Sequence, residues 1–440
     1  MTDISLTDRI RSVLDAVGIS RAHVVAQLTG DIAGLVEGHS NRLSGVAFVA
    51  PARIEPSGFS ALGDRLLYIA PEGGTLAKTA ARALPQLPDA KRVALVGYEA
   101  ESWTDISADR PEIVEHMAQH FAACPAVDQG SGSEDSGEVA GIRYRTLGSG
   151  PTLVLTPMAL APSQWEPIIP ALAERFRLVV LSGPKLGMLA LLEERAALAG
   201  WRQMCAGLFD DLSLSPGDHV LDVGCGSGAI ALQFRTHTSG QNPLTAMDLS
   251  PYLLGEARIS AQAAGMASDI DFQHGSAEAL PFADNTFDAA YTVTVFEECN
   301  AATGLSELMR VVKPGGRVAV VVRGIDLHGW WNMELPPAIR AKVSLPAGSV
   351  SLGGVATAAL YDICREAGLK PLRQYPYIVA SESTTGPVFE HPETHALSLL
   401  QPDEQQVFHA SRAKALAAGT LFMTRGHHCF VGEVPSCEIR

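Results

Sequence analysis

Asp222, Gly224, Gly226 and Gly228 stand at every second position of the stretch LDVGCGSGAI, Leu221 to Ile230. A carboxylate followed by closely spaced glycines suits ligand capture. Glycine reaches backbone conformations closed to other residues, and with no side chain it lets a ligand approach main-chain N–H groups. The residues before the turn, HVLDV, are short and β-rich, and AIALQFRTH after it repeats apolar residues at helical spacing. The turn therefore joins a strand to a helix, whose N-terminus favours an anionic group.

A dinucleotide fingerprint spaces its glycines as G-x-G-x-x-G. Here the third glycine comes one residue early, and Asp222 precedes the set. A pyrophosphate is repelled by that carboxylate, whereas an ammonium is attracted. S-adenosylmethionine carries an ammonium and a carboxylate on one carbon, so Asp222 and the glycine amides can serve both. Cys225, a small residue tolerated inside the turn, is counted with the cofactor-binding residues. The next strand, PLTAMDLS, ends in Asp248, about 20 residues on, where an acid can bind both ribose hydroxyls. Leu249 can then pack on the adenine, Ser276 and Ala277 fall where the adenine edge would lie, and Thr292 joins the cofactor set.

In LDVGCGSG, AMDLSPYLLGEAR, GSAEALPFADNTFDAAY and ELMRVVKPGGRVAVV, the chain resembles the class I S-adenosylmethionine-dependent methyltransferases, specifically the small-molecule subgroup of ubiquinone and menaquinone biosynthesis. The resemblance covers about Leu208 to Val322. It implies a Rossmann-like seven-stranded sheet with an antiparallel last strand and a cofactor at the carboxyl ends of the parallel strands. Relatives often have Asp where Ser276 stands, so the adenine contact should be weaker here.

The same resemblance directs attention to three strand ends. VFEECN brings Glu297 and Glu298, GRVAVVVRGID brings Arg323 and Asp326, and HCFVGEV brings His427 and His428. Methyl transfer needs alignment first, and a base only when the nucleophile holds its proton. Glu297, where relatives often have His, is expected as base or substrate anchor, with His427 and His428 as further catalytic candidates. Glu298, Arg323, Trp330 and Tyr252 are the substrate-binding candidates, although Arg323 is as readily explained by pairing with Asp326, and Trp330 and Trp331 by core packing. Helices are expected over Ala356 to Gly368 and Leu397 to Ala418, the latter broken at Pro402, as part of a cap over residues 327–420.

These elements occupy only part of a chain of 440 residues, which at about 150 residues per domain suggests two or three domains. The net charge of −15, without a basic stripe, argues against nucleic acid as partner. The charged start MTDISLTDRIRSVLDA does not read as a signal peptide, and no apolar run of about 18 residues reads as a membrane span. The seven cysteines, Cys124, Cys205, Cys225, Cys299, Cys364, Cys429 and Cys437, are odd in number and lack C-x-x-C spacing, so a reduced, cytoplasmic protein without disulfides or a metal site is expected. A metalloid substrate held by converging thiolates is a minor alternative.

Residues 1–187 alternate strand and helix patterns, implying a parallel α/β sheet. DRIRSVLDAVGISRAHVVAQLTGDIAGLVEGHSNRLSGVAFVAPA resembles the middle of an α/β-hydrolase, DAKRVALVGYEAESWTDISADRPEIVEHMAQHF its end, and IRYRTLGSGPTLVLTPMALAPSQWEPIIPALAERFRLVVLSGP its beginning. The resemblance implies a circularly permuted domain with halves 1–123 and 141–187 around a flexible Gly/Ser-rich linker, 124–141. Its chemistry would need G-x-S-x-G, but the turn reads AQLTG, with Leu28 in the nucleophile's place, Thr104 near the histidine position and Glu72 near the acid. Ser40, in GHSNR, falls in a helix-to-strand connection. The domain is expected to be catalytically dead.

The expectation is thus an α/β protein in which residues 188–440 methylate a small organic molecule at O, N or activated C, in specialised metabolism, behind a non-catalytic domain. Gly187, Met188 and Arg202, on the joining segment, are further candidates to face cofactor or substrate. A homodimer is the working expectation. The competing readings are a protein that binds S-adenosylmethionine without methylating, as a partner or scaffold, and an NAD-dependent oxidoreductase.

Overall fold

The computed structural model describes residues 4–51, 54–100, 104–130, 135–344, 346 and 350–436. The chain divides into two compact units, Met1–Ala190 and Leu191–Arg440.

The first unit is built on strands β1 (Ala22–Ala26), β2 (Leu43–Val49), β3 (Leu66–Gly73), β4 (Lys91–Glu99), β5 (Gln129–Gly130), β6 (Asp135–Val139), β7 (Ile142–Leu147), β8 (Gly150–Leu155) and β9 (Arg177–Ser182). They form one sheet in the order β4-β3-β2-β1-β8-β9-β7-β6, with β5 beside β8. β1 and β2 are buried at every residue, because apolar layers cover both faces of the sheet. Val24 and Val46 belong to the layer with Ile10, Val13 and Leu35, whereas their neighbours Val25 and Ala47 join Met117, Phe121 and Trp165. HVVAQ and TLVLTP do share a sheet: His23, Val24 and Val25 of β1 stand opposite Leu153, Val154 and Leu155 of β8, in parallel.

The stretch read as a flexible linker is partly structured. β6 pairs antiparallel with β7 from Asp135↔Thr146 to Val139↔Ile142. Ahead of it, Asp128 accepts the Arg21 N–H at 3.0 Å. The polar sequence DSGEV carries no apolar alternation, so its pairing is not visible from periodicity.

The turn Gln27–Thr29 leads from β1 into the helix Gly30–His39. A Cβ placed on Gly187 would lie 3.4 Å from Leu28 Cδ1 and 3.2 Å from Pro157 Cβ, so apolar groups crowd this turn. Ser40 is exposed at the end of that helix, in the connection to β2.

The second unit contains β10 (Val220–Val223), β11 (Leu244–Asp248), β12 (Ile270–His274), β13 (Phe287–Val293), β14 (Val312–Arg323), β15 (Trp330–Trp331), β16 (Lys370–Ser381) and β17 (Met423–Glu433). The order is β12-β11-β10-β13-β14-β17, with β16 and β15 also on β17. β10 to β14 run parallel, and β17 is antiparallel to β14 and β16. The strand order reverses between β10 and β13, and ligands of such sheets bind in the crevice beyond the strand ends at that point.

A helix occupies Ala359–Glu366, and two more, Pro387–Ser398 and Pro402–Ala417, flank the expected break. Trp331, Phe389, Phe408 and Met423 form a separate apolar core among these additions. β16 was not evident in the sequence: most of its first nine residues are exposed, two of its residues are proline, and so KPLRQYPYIVAS lacks a strand's alternation. Among the described residues no helix is long and apolar enough to cross a membrane, and six cysteines are free; Cys437 lies outside the described residues.

Candidate functional site

β10 delivers Asp222 to the crevice at 2% exposure. The Tyr291 hydroxyl donates to its Oδ2 at 3.1 Å. Burial, with the charge of Asp248 nearby, raises its pKa to about 8. Asp222 has no ion-pair partner among the described residues.

The turn after it needs glycine for two separable reasons. Gly224 has φ 78°, and a Cβ there would overlap the Val295 side chain. Gly226 has φ 56°, with only ordinary contact to Leu192 Cδ1 at 3.4 Å. The Gly226 N–H donates to Asp248 Oδ2 at 2.8 Å, and the Ser250 N–H to Oδ1 at 2.8 Å. Two amides thus fix the Asp248 carboxylate at the end of β11, with lone pairs left over for a diol. Gly228 begins the helix Ala229–His237 as its left-handed cap. The Cys225 thiol is buried within the turn, which pushes its pKa up and keeps it protonated.

Leu249 is 57% exposed immediately after Asp248, an apolar surface suited to a purine face. Tyr252 is half-buried on the helix Pro251–Ala263. Ser276 and Ala277 are half-buried just past β12, where Ser276 Oγ accepts the Glu278 N–H at 3.2 Å. Thr292 stands opposite Val223 and is fully buried, its Oγ1 lacking a hydrogen-bond partner. Thr294, two residues on, adopts φ 58°, strained for a β-branched residue.

Beyond β13, Glu297 is fully buried. The Arg323 N–H donates to its Oε1 at 2.6 Å, and Arg323 Nε lies 3.5 Å away. Its other oxygen, Oε2, has no hydrogen-bond partner among the described residues. Burial raises the Glu297 pKa, and Arg323 works against that shift. A strap over the turn enforces the burial: the Ser351 N–H donates to the Glu297 carbonyl at 2.9 Å and the Val355 N–H to the Phe296 carbonyl at 2.8 Å. Glu298 is exposed and pairs loosely with Arg323 at 3.4 Å. It does not cap the next helix; Asn300 does.

Two expectations change. Arg323 pairs with Glu297 and Glu298, not with Asp326, which instead lies 2.8 Å from His428 Nε2. Consecutive strand residues face opposite ways, so His427 and His428 cannot share one site. His428 Nδ1 also bonds the Tyr361 hydroxyl at 3.0 Å, which accounts for both its ring nitrogens and gives it a structural role. His427 stands opposite Arg323, on the same face. Trp330 is 53% exposed on β15, opposite Thr424, and its ring packs edgewise on Phe422. Arg202, on the helix Ala199–Asp211, is exposed.

Sequence reading did not flag Arg195 or Trp201. The Arg195 guanidinium stacks over the Trp201 ring at 4.5 Å, and Trp201 meets His427 edge-on at 5.0 Å. Both precede the glycine turn on helices, and an arginine and a tryptophan in ALLEERAALAGW read equally well as surface and core.

Comparison with known proteins agrees with the glycine turn. The family model described as a methyltransferase domain matches residues 221–320. The ubiquinone/menaquinone biosynthesis C-methyltransferase UbiE of Roseobacter denitrificans is 38% identical over 123 residues, 28% of this chain and 47% of that protein. The O-methyltransferase resE of Aspergillus sclerotiorum is 36% identical over 118 residues, 27% of this chain and 44% of that protein. The chain thus spans less than half the length of these two relatives. Among solved structures, a geranyl diphosphate C-methyltransferase from Streptomyces coelicolor A3(2) aligns at 15% identity over 52% of this chain and 75% of that one, with a TM-score of 0.33, too distant to bear on function. Residues 221–320 form a methyltransferase domain of α/β, Rossmann-like fold, and the cofactor of such a domain is S-adenosylmethionine.

Proposed function

We propose that the whole chain is a methyltransferase that uses S-adenosylmethionine to methylate a small organic molecule at oxygen, nitrogen or activated carbon. Asp222 carries this reading. A buried carboxylate without an ion-pair partner, next to a second carboxylate, is costly unless a cation completes it. The ammonium of S-adenosylmethionine is such a cation. Asp248 would hold the ribose and Leu249 the adenine face; the Gly224, Gly226 and Gly228 N–H groups donate instead to the Met247 carbonyl, Asp248 Oδ2 and the Cys225 carbonyl, so the glycines shape the turn and do not bind the ligand's carboxylate. The cofactor supplies an electrophilic methyl group. Glu297, strapped beside the ends of β13 and β14, is the base or anchor for the acceptor, with Arg323 holding its carboxylate in place. The relatives named for C- and O-methyl transfer support those acceptor atoms.

The first unit is proposed as a non-catalytic, circularly permuted α/β-hydrolase-like domain. Renumbering its main strands from β6 turns the sheet order into 1-2-4-3-5-6-7-8, a hairpin, one swap and then consecutive neighbours, which supports a chain cut and rejoined. Leu28, an aliphatic residue at the turn after β1, supports the loss of a nucleophile.

Incubation of the purified protein with methyl-labelled S-adenosylmethionine and a small-molecule extract of the organism that carries the gene tests the main reading. Label in a small molecule is expected and identifies the acceptor. S-adenosylmethionine binding without transfer would favour a non-methylating binding protein, and no binding would sink the assignment.

A further inference from the structure

Around His427 lies a set of groups that cofactor binding does not use. Trp201 is 1% exposed and His427 is 5% exposed, yet Trp201 Nε1 and His427 Nδ1 have no hydrogen-bond partner among the described residues. Glu297 Oε2 is a third such atom. Each unsatisfied buried polar atom costs about 1–3 kcal/mol. Three in one neighbourhood are costly for packing alone and are accounted for by a ligand that completes them.

The charge of the neighbourhood says which ligand. Arg195 stacks on Trp201, and Arg323 stands opposite His427. Arg425 precedes His427 by two positions on the same strand and so faces the same side. Arg323 is paired with Glu297 and Glu298, and burial pushes Glu297 toward its neutral form, whereas Arg195 has no ion-pair partner among the described residues. Burial, and then the field of Arg195, lowers the pKa of His427 to about 3, so its ring stays neutral and offers a hydrogen bond without a charge to be neutralised. The indole N–H of Trp201 can only donate. Donors and positive charge in a desolvated setting select an anionic oxygen group.

From this arrangement we infer that Trp201, His427 and Arg195 form an acceptor subsite for a carboxylate or phenolate, so that the methyl acceptor is an organic anion. The inference rests on the methyl-transfer reading and adds the substrate class. The anionic group is held at Arg195, Trp201 and His427, and Glu297 is left to the atom that receives the methyl group.

The test is a binding measurement on the full chain loaded with S-adenosylhomocysteine. Benzoate, 4-hydroxybenzoate and 2-naphthoate are titrated by calorimetry beside their neutral carboxamides. At least one acid is expected to bind about tenfold or more tightly than its amide, the factor expected for a hydrogen bond to a charged group. Arg195→Gln should abolish that preference, and Arg195→Lys should keep most of it. Trp201→Phe retains a ring for stacking but removes the N–H, and should weaken acid binding by about tenfold with amide binding unchanged. All three variants should bind S-adenosylhomocysteine as the parent does, which also reports on folding. Amides binding as tightly as acids, a preference that survives Arg195→Gln and Trp201→Phe, or no acid binding by a protein that does bind S-adenosylhomocysteine would each overturn the subsite while leaving the methyl-transfer reading intact. Failure to bind S-adenosylhomocysteine at all would remove both.

Discussion

Asp222 sets function against stability at a single residue. Its pKa in the folded protein, about 8, lies above the 3.8 of a free aspartate, so the folded state holds a proton that the unfolded chain releases. The sign follows: between pH 4 and pH 8 this group makes the unliganded fold progressively less stable as pH rises. An ammonium needs the ionised form, so S-adenosylmethionine should bind with release of a proton and more tightly at pH 8 than at pH 6. Calorimetry in buffers of different ionisation enthalpy measures that proton; none released would remove Asp222 from the ammonium site. Asp222→Asn is expected to weaken binding about 10- to 100-fold, as for a lost hydrogen bond to a charged group, with no fall in the melting temperature of the unliganded protein. Glu297 has a different signature. If it takes the acceptor's proton, Glu297→Gln should lower kcat/KM for the labelled acceptor at least about 100-fold, because general bases contribute on that scale. An unchanged kcat/KM would leave it as an anchor of the Arg323 N–H and nothing more. Both residues were legible in the sequence because each sits at a strand end beside a turn signal. Arg323's partner was not: Asp326 is nearer in sequence, but a strand end and the turn after another strand meet in space, and only the sheet order reveals that.

At the scale of the element, the strand–turn–helix around the glycines reads directly from the sequence, since β10, β11 and β13 are short, largely apolar runs that end in, or are followed at once by, a polar or glycine residue. β16 and β6 do not, because one is largely exposed and the other polar, and cross-strand hydrogen bonding leaves no periodicity in such sequences. The strap at 351–355 is similarly silent, since it works through main-chain N–H groups. Geometry also ranks glycines that the sequence makes equivalent. Gly224→Ala must accept a positive φ and an overlap with Val295, whereas Gly226→Ala accepts the positive φ alone. The first substitution should therefore cost about 1–3 kcal/mol more than the second, the usual price of overpacking. The unfolding transition that S-adenosylmethionine shifts is the one to follow, because the ligand marks the unit that binds it. Equal losses for the two variants would mean that the turn relaxes around Val295.

For the whole molecule, the proposed permutation raises the question of how a first unit with reversed halves would hold together. In the sheet, strands from the two proposed halves lie side by side. β8, from after the proposed junction, lies between β9 and β1, and the apolar layers on both faces draw residues from both halves: Val24 and Val154 on one, Val25 and Leu153 on the other. Once the strands are paired, the covalent link between Gly130 and Asp135 contributes mainly by limiting the entropy of the unfolded chain. A protease site inserted between Ser131 and Glu134 therefore makes a strong test. After cleavage, the two fragments should stay together on gel filtration and the unit should melt in one transition at a lower temperature, since β1 and β8 cannot separate without exposing both apolar layers. Affinity for S-adenosylmethionine should be unchanged, because the residues assigned to the cofactor belong to the other unit. Fragments that part under native conditions would show that each half carries its own core, and the permuted-domain reading would give way to two small α/β pieces set side by side.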